Sequence, residues 1–223
     1  MRISILHLVG FYLLLATPLF SSCHDKPIPP ALLKNRDIVS IKKEIDRGAD
    51  IDAFYNITRK EGDKTELTAL MISAINRAPM VAEVLIKNGA NIELKNSEGR
   101  TALFITAIHN SPDVANLLIN YGAKVNAKDI HGNTPLMATS IMNSVEIAKL
   151  LISKKANINA QNRDGLTALI YAAKCNSIEI GKILLENGAD SSIGTKEGIT
   201  ALDYANCGNS SDIADRIVLQ GVE

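Results

Sequence analysis

A handful of side chains in this chain could do chemistry. The stretch "NRDGL" at 162–166 sets Asn162 and Asp164 two residues apart, as an oxygen-rich calcium loop does at its start. His109 and His131 could act as bases or metal ligands, Asp203 as an acid, and Cys175 and Cys207 as a disulfide. None of these is completed by the partners its chemistry needs. The would-be calcium loop lacks its closing glutamate, neither histidine has a second ligand at a useful spacing, and Asp203 has no paired carboxylate. No H-E-x-x-H, C-x-x-C, G-x-S-x-G or phosphate-cradling glycine loop occurs in the 223 residues. The two cysteines fall at nearly equivalent places on neighbouring helices, which pack about 8–10 Å apart. A disulfide needs its Cα atoms within roughly 7 Å, so free thiols are expected. The chain is thus expected to be no enzyme, with no metal and no cofactor.

Charge narrows the partners further. Twenty-four basic side chains balance 24 acidic ones, so there is no net field to gather nucleic acid, and none is expected as a partner.

The elements that must position these residues show themselves by repetition. Thr-x-Leu begins at Thr68, Thr101, Thr134, Thr167 and Thr200, each 33 residues after the last. Gly89, Gly122, Lys155 and Gly188 keep the same step, with Gly221 one period on, and so do Asn110, Asn143, Asn176 and Asn209. Each letter has a physical task in a helix pair. The threonine hydroxyl caps the first helix, Pro135 suits its first turn, and the asparagine ends it in a left-handed cap. The glycine closes the second helix at positive φ, where Lys155 is the exception. Segments such as "VEIAKLLISK" and "IEIGKILLEN" carry apolar residues at helical spacing.

A 33-residue period with a T-P-L motif resembles the ankyrin repeat. The resemblance implies an all-α repeat solenoid: a stack of helix-turn-helix units joined by extended β-turn fingers, each unit contacting mainly its neighbours. The repeat domain is placed at 31–223. It comprises an N-terminal capping half-repeat over 31–53 and repeats at about 65–94, 98–127, 131–160, 164–193 and 197–223. Lys43 and Glu44 near the start, and Arg216 near the end, replace leucines of the internal copies, as solvent-facing caps require. The step from Gly48 to Gly89 is 41 residues, so eight extra residues around "NITRKEGDK" are expected to form a longer polar loop. The histidine of the family's T-P-L-H motif is absent. Met71, Phe104, Met137, Ile170 and Asp203 stand there, so apolar packing must replace it in the first four copies.

Before the repeats, Met1 and Arg2 lead into the apolar run "ISILHLVGFYLLLA" and the small-residue exit "TPLFSSC", the pattern of a secretory signal over 1–22. An uncleaved membrane helix is the alternative, although Ile3 to Phe20 is only 18 residues. "LFSSC" resembles the lipobox of bacterial lipoproteins: Ser21, Ser22 and Cys23 fit, and Phe20 stands where leucine is commoner. The resemblance implies acylation of Cys23 and a membrane lipid anchor in the bacterial cell envelope, facing the periplasm or the exterior. Residues 23–30 then form a proline-rich tether. The other possibility is an ordinary signal, with Cys23 incidental and the protein secreted.

The resemblance also implies the function: a monomeric scaffold that binds a protein partner through its concave face and finger tips. The residues flanking the turn glycines and ending the first helices fall on Ile108, His109, Ile130, His131, Asn133, Ile141, Met142, Arg163, Asp164 and Leu166. Ser97, Glu98, Arg100 and Lys174 occupy related positions. Ile108, Ile130, Ile141, Met142 and Leu166 are apolar where water is expected, which reads either as an interface or as side chains that fold back into the core. The alternative functions are a secreted, host-directed binding protein, and a periplasmic accessory protein or enzyme subunit.

Overall fold

The computed structural model describes residues 26–58, 64–207 and 211–220. Among these, twelve helices follow one another in six pairs: α1 (Pro30–Asn35) with α2 (Ile38–Asp46), α3 (Ala69–Ile75) with α4 (Pro79–Lys87), α5 (Ala102–His109) with α6 (Pro112–Asn120), α7 (Pro135–Met142) with α8 (Val145–Ser153), α9 (Ala168–Cys175) with α10 (Ile178–Glu186), and α11 (Ala201–Cys207) with α12 (Ser211–Gln220). First helices stack on first helices and second on second, each pair touching mainly its neighbours, which is the all-α solenoid the period implies.

The periodic letters do the work expected of them. Thr68, Thr101, Thr134 and Thr167 sit in extended backbone, and each hydroxyl accepts the N–H three residues on at 3.2–3.4 Å. Asn110, Asn143 and Asn176 end their helices at φ of 49°, 54° and 56°. Lys155 holds φ at 63°, where Gly89, Gly122 and Gly188 lie between 85° and 92°. Asn209 and Gly221 lie outside the described residues. Two layers of leucine result: Leu70, Leu103, Leu136 and Leu169 from the first helices, and Leu85, Leu118, Leu151 and Leu184 from the second, all essentially buried. Each contributes about 1.5–3 kcal/mol through burial. Met71, Phe104, Met137 and Ile170 are buried as well. Met137 keeps a trace of the absent histidine's polarity, since its Sδ accepts the Thr134 N–H at 3.4 Å.

The N-terminal end departs from expectation twice. The tether placed at 23–30 is described from Lys26 onward, and that part is docked. Ile28 is fully buried, its carbonyl accepts the Tyr55 hydroxyl at 2.6 Å, and the Lys26 carbonyl accepts the Asp50 N–H at 3.0 Å. Burial raises the Tyr55 pKa. The cap placed at 31–53 is moreover a shortened helix pair, starting at Pro30, rather than a half-repeat. The centre of the segment expected as a polar loop, 59–63, lies outside the described residues. The described residues of that first finger form an antiparallel hairpin, β1 (Tyr55–Thr58) against β2 (Lys64–Leu67), with Tyr55 opposite Leu67 and Ile57 opposite Thr65. Those four side chains are buried while Asn56, Lys64 and Glu66 face outward, the period-two pattern of a half-buried strand.

At the other end, Arg216 is bonded to Glu186 at 2.7 Å on the outer surface, in keeping with a polar cap.

Candidate functional site

The fingers are built on a second 33-residue series. Asn96, Asp129 and Asn162 each turn a side-chain oxygen back to accept the N–H groups two and four residues on, at 2.8–3.1 Å, and the Thr195 hydroxyl does the same at 3.3 Å. This folds each tip around Gly99, Gly132, Gly165 or Gly198, all at positive φ. Backbone bonds then join tip to tip: Ile130 N–H to the Glu98 carbonyl, Arg163 N–H to His131, and Lys196 N–H to Asp164, at 3.0–3.1 Å. Glycine is required inside this strip because a Cβ on Gly165 would lie 2.9 Å from the Lys196 nitrogen. Long side chains reinforce it, with Lys95 Nζ donating to the Lys128 carbonyl and Lys128 Nζ to that of Gln161.

Between the strip and the first helices runs a polar network. The Asp129 carboxylate is buried, accepts Asn133 Nδ2 at 3.2 Å, and lies 4.0 Å from Arg100 Nε. Arg100 also bonds Glu98 at 2.8 Å and lies over the Phe104 ring at 5.4 Å. Asn133 Oδ1 accepts both Asn162 Nδ2, at 2.8 Å, and the Tyr171 hydroxyl, at 3.2 Å. Burial, then the negative charges of Asp129 and Asp164, raise the Tyr171 pKa. Three repeats are locked together by these groups.

Against this geometry the expected contact residues divide. Ile130 and His131 at one tip, and Arg163 and Asp164 at the next, are exposed. Ile108, His109, Ile141 and Met142 are half-buried at the ends of their helices, and Ile108 packs on the core. The His109 carbonyl accepts Arg77 Nε from the preceding repeat at 3.1 Å. Two residues do not stand where water was expected. Leu166 is buried, its tip covered by the following finger, and Asn133 is engaged in the network just described. Ser97 and Lys174 are exposed, Lys174 over the Tyr204 ring at 5.6 Å. Cys23 lies outside the described residues.

The residues that invited chemistry have structural occupations. Asn162 closes a tip, and the Asp203 carboxylate accepts both the N–H and the hydroxyl of Thr200 at 2.7–2.8 Å, bonds that lower its pKa. Cys175 and Cys207 are free, and burial raises the Cys175 thiol pKa. Among the described residues no group of three or more His, Cys, Asp or Glu side chains could hold a metal ion.

A further periodic set went unread in the sequence. Ser111, Ser144 and Ser177 donate their hydroxyls to the carbonyls of Ala74, Ala107 and Ser140, each 37 residues back in the preceding repeat. Their 33-residue spacing was the available signal.

No curated protein matches the chain. A family model described as ankyrin repeats (3 copies) matches it over residues 35–129, 70–162 and 136–223, which together span all the repeats. The capped helix pairs, the bonded fingers and this match agree: the chain belongs to the ankyrin-repeat family, whose members generally mediate protein–protein interaction.

Proposed function

We propose that this protein is an exported, membrane-anchored ankyrin-repeat scaffold that grips a protein partner along its finger tips and inner helical edge. The observation that carries the binding half is the tip strip. Its backbone bonds are satisfied between fingers, so Ile130, His131, Arg163 and Asp164 are presented outward from a braced support. Ile130 is an apolar side chain, 45% exposed, in the middle of that strip. The half-buried Ile141 and Met142 end helix α7 of the same repeat, and the exposed Ile130 with Arg163 and Asp164 on the next tip gives the partner one apolar anchor beside charges.

The anchored half rests on the sequence before Lys26: an apolar leader, a small-residue exit and Cys23. The protein would then stand in the bacterial envelope, facing the periplasm or the exterior. Among the described residues no helix is long and apolar enough to cross a membrane, so attachment is assigned to the segment around Cys23.

Crosslinking capture with the wild-type chain and an Ile130→Asp, Arg163→Glu variant tests the binding reading. Capture of the same partner should fall at least tenfold with the unfolding midpoint unchanged, while Lys149→Glu on the outer helix α8 leaves capture intact. Equal capture by both chains would remove the tips from the interface. Anchoring is tested separately: Cys23→Ala should move the protein from the carbonate-washed membrane fraction to the soluble one.

A further inference from the structure

The described residues begin at Lys26, and the chain is held there. The Lys26 carbonyl accepts the Asp50 N–H, Pro27 bridges to Asp50, and Ile28 is fully buried. Cys23 precedes Lys26 by three residues, a reach of at most about 11 Å. Any anchor in the segment before it, acyl chains on Cys23 or the apolar run itself, therefore holds the first helix pair at the bilayer surface and not at a tether's length.

What that pair offers the surface differs from the rest of the molecule. Nine residues before the residue that closes each second helix, the later copies carry acids: Asp113, Glu146, Glu179 and Asp212. The first two copies carry Val39 and Met80, which are 78% and 69% exposed. These are the two most exposed large apolar side chains among the described residues. Met80 lines an open groove of about 460 Å³ along α2 and α4, together with Ile38, Lys42, Glu83, Val84 and Lys87. Lys42 is exposed on its lining, Lys87 there pairs with Glu83 at 2.6 Å, and Lys43 is exposed next to Lys42 on α2. Apolar side chains that can enter the headgroup boundary, beside long cations such as Lys42 and Lys43 that can reach anionic headgroups, are what an interfacial helix presents to a membrane.

We propose that the outer surface of α2 and the start of α4 form a seat for an anionic bilayer. The proposal rests on the anchored reading, because attachment a few residues away supplies the high effective concentration that so small a patch needs. Asp113 and Glu146, the acids that stand at the same position on α6 and α8, mark where that contact ends.

The chain has no tryptophan, so a single one reports its own depth. Val39→Trp, Met80→Trp, Asp113→Trp and Glu146→Trp would each be made in the full chain. The variants would be reconstituted into vesicles of phosphatidylethanolamine and phosphatidylglycerol with acyl chains brominated near the headgroup. Tryptophan at 39 and 80 should lose at least half its emission relative to unbrominated vesicles, and tryptophan at 113 and 146 should not. Adding Lys42→Glu and Lys43→Glu should reverse most of that loss. Carbonate extraction and the mass of the N-terminal peptide, measured on the same samples, keep the two readings apart. A firmly anchored chain whose tryptophans at 39 and 80 are no more quenched than those at 113 and 146 overturns the seat and leaves the anchor. A concentration-dependent blue shift at those positions without vesicles would give the patch to a second copy instead, and overturn it too. Recovery of an unacylated chain in the soluble fraction overturns the anchor, and the seat with it.

Discussion

The three middle fingers and the first finger close a helix pair onto its neighbour by different chemistry. In the middle, Asn96, Asp129 and Asn162 fold each tip through directed hydrogen bonds, and the tips are then tied together through backbone. The first finger has Glu66 where the later ones have their turn glycine, and its described residues form a hairpin that buries Tyr55, Ile57, Thr65 and Leu67. Arginines add reach at that end: Arg36 donates to the Asn76 carbonyl at 2.5 Å, and Arg77 to His109. Hydrogen bonds demand register, because a donor displaced by one residue misses its acceptor, whereas apolar burial is non-directional. The first finger carries eight extra residues, while the four later steps are all 33.

The largest test of that contrast substitutes the turn glycine. Gly165→Ala places a Cβ 2.9–3.0 Å from backbone atoms of Thr195 and Lys196, at a φ of 82° that already strains an L-residue. A cost of roughly 2–5 kcal/mol is expected, from steric overlap plus backbone strain. Gly122→Ala, whose Cβ meets nothing within 4 Å, should cost only about 1 kcal/mol. Glu66→Ala, the same position in the first finger, should stay within about 0.5 kcal/mol because that side chain is exposed on a strand. Urea unfolding of the three variants checks the order, and equal losses at Gly165 and Gly122 would show that the strip gives way without cost.

Next in size is the serine ladder. Ser144→Ala removes a buried hydroxyl bonded to the Ala107 carbonyl at 2.8 Å, and should cost about 1–3 kcal/mol. The first full repeat has Ala78 at that position and so has no such rung to lose. An unchanged midpoint would mean that the Ala107 carbonyl finds another donor.

The helix pairs were legible because capping and helix termination are local: Thr134 needs only its own next three residues, and Asn143 only its own φ. The finger bonds and the serine rungs join residues that make sense only once the copies are stacked. Their letters were periodic all the same, and Asn96, Asp129, Asn162 and Thr195 could have been found by asking which polar residues repeat without a local task. Leu166 shows what no local pattern supplies. It is 9% exposed under a following finger, whereas Ile199, one period later on a tip where Gly198 meets no neighbouring finger, is 38% exposed. The hairpin was missed because the insertion broke the phase just where period-two alternation began.

Lys155 gives a smaller effect of opposite sign. Held at φ of 63° where other copies use glycine, it should release about 0.5–1 kcal/mol as Lys155→Gly, net of the extra freedom of the unfolded chain. Arg77, at φ of 51°, is the counterpart on the first side of the comparison, but it also bonds the His109 carbonyl. Arg77→Gly should therefore gain little or nothing. If both glycines stabilise equally, the arginine bond contributes nothing to the junction.

The smallest expected change concerns the start of α4, where Met80 replaces an acid. Asp113, Glu146 and Glu179 lie in the first turns of α6, α8 and α10, where a negative charge meets the unpaired N–H groups and the positive end of the helix dipole. Helix α4 has neither an acid there nor a side-chain cap bond. Met80→Asp should then stabilise the fold by about 0.3–1 kcal/mol at low ionic strength, and the gain should shrink as salt is added. Met80 is 69% exposed, so little packing is lost to offset it. If Met80→Asp raises the midpoint and also weakens bilayer contact, folding and membrane seating are separable at this position. A lower midpoint would instead tie Met80 to its groove neighbours Ile38 and Val84, and make the N-terminal patch part of the fold's own packing.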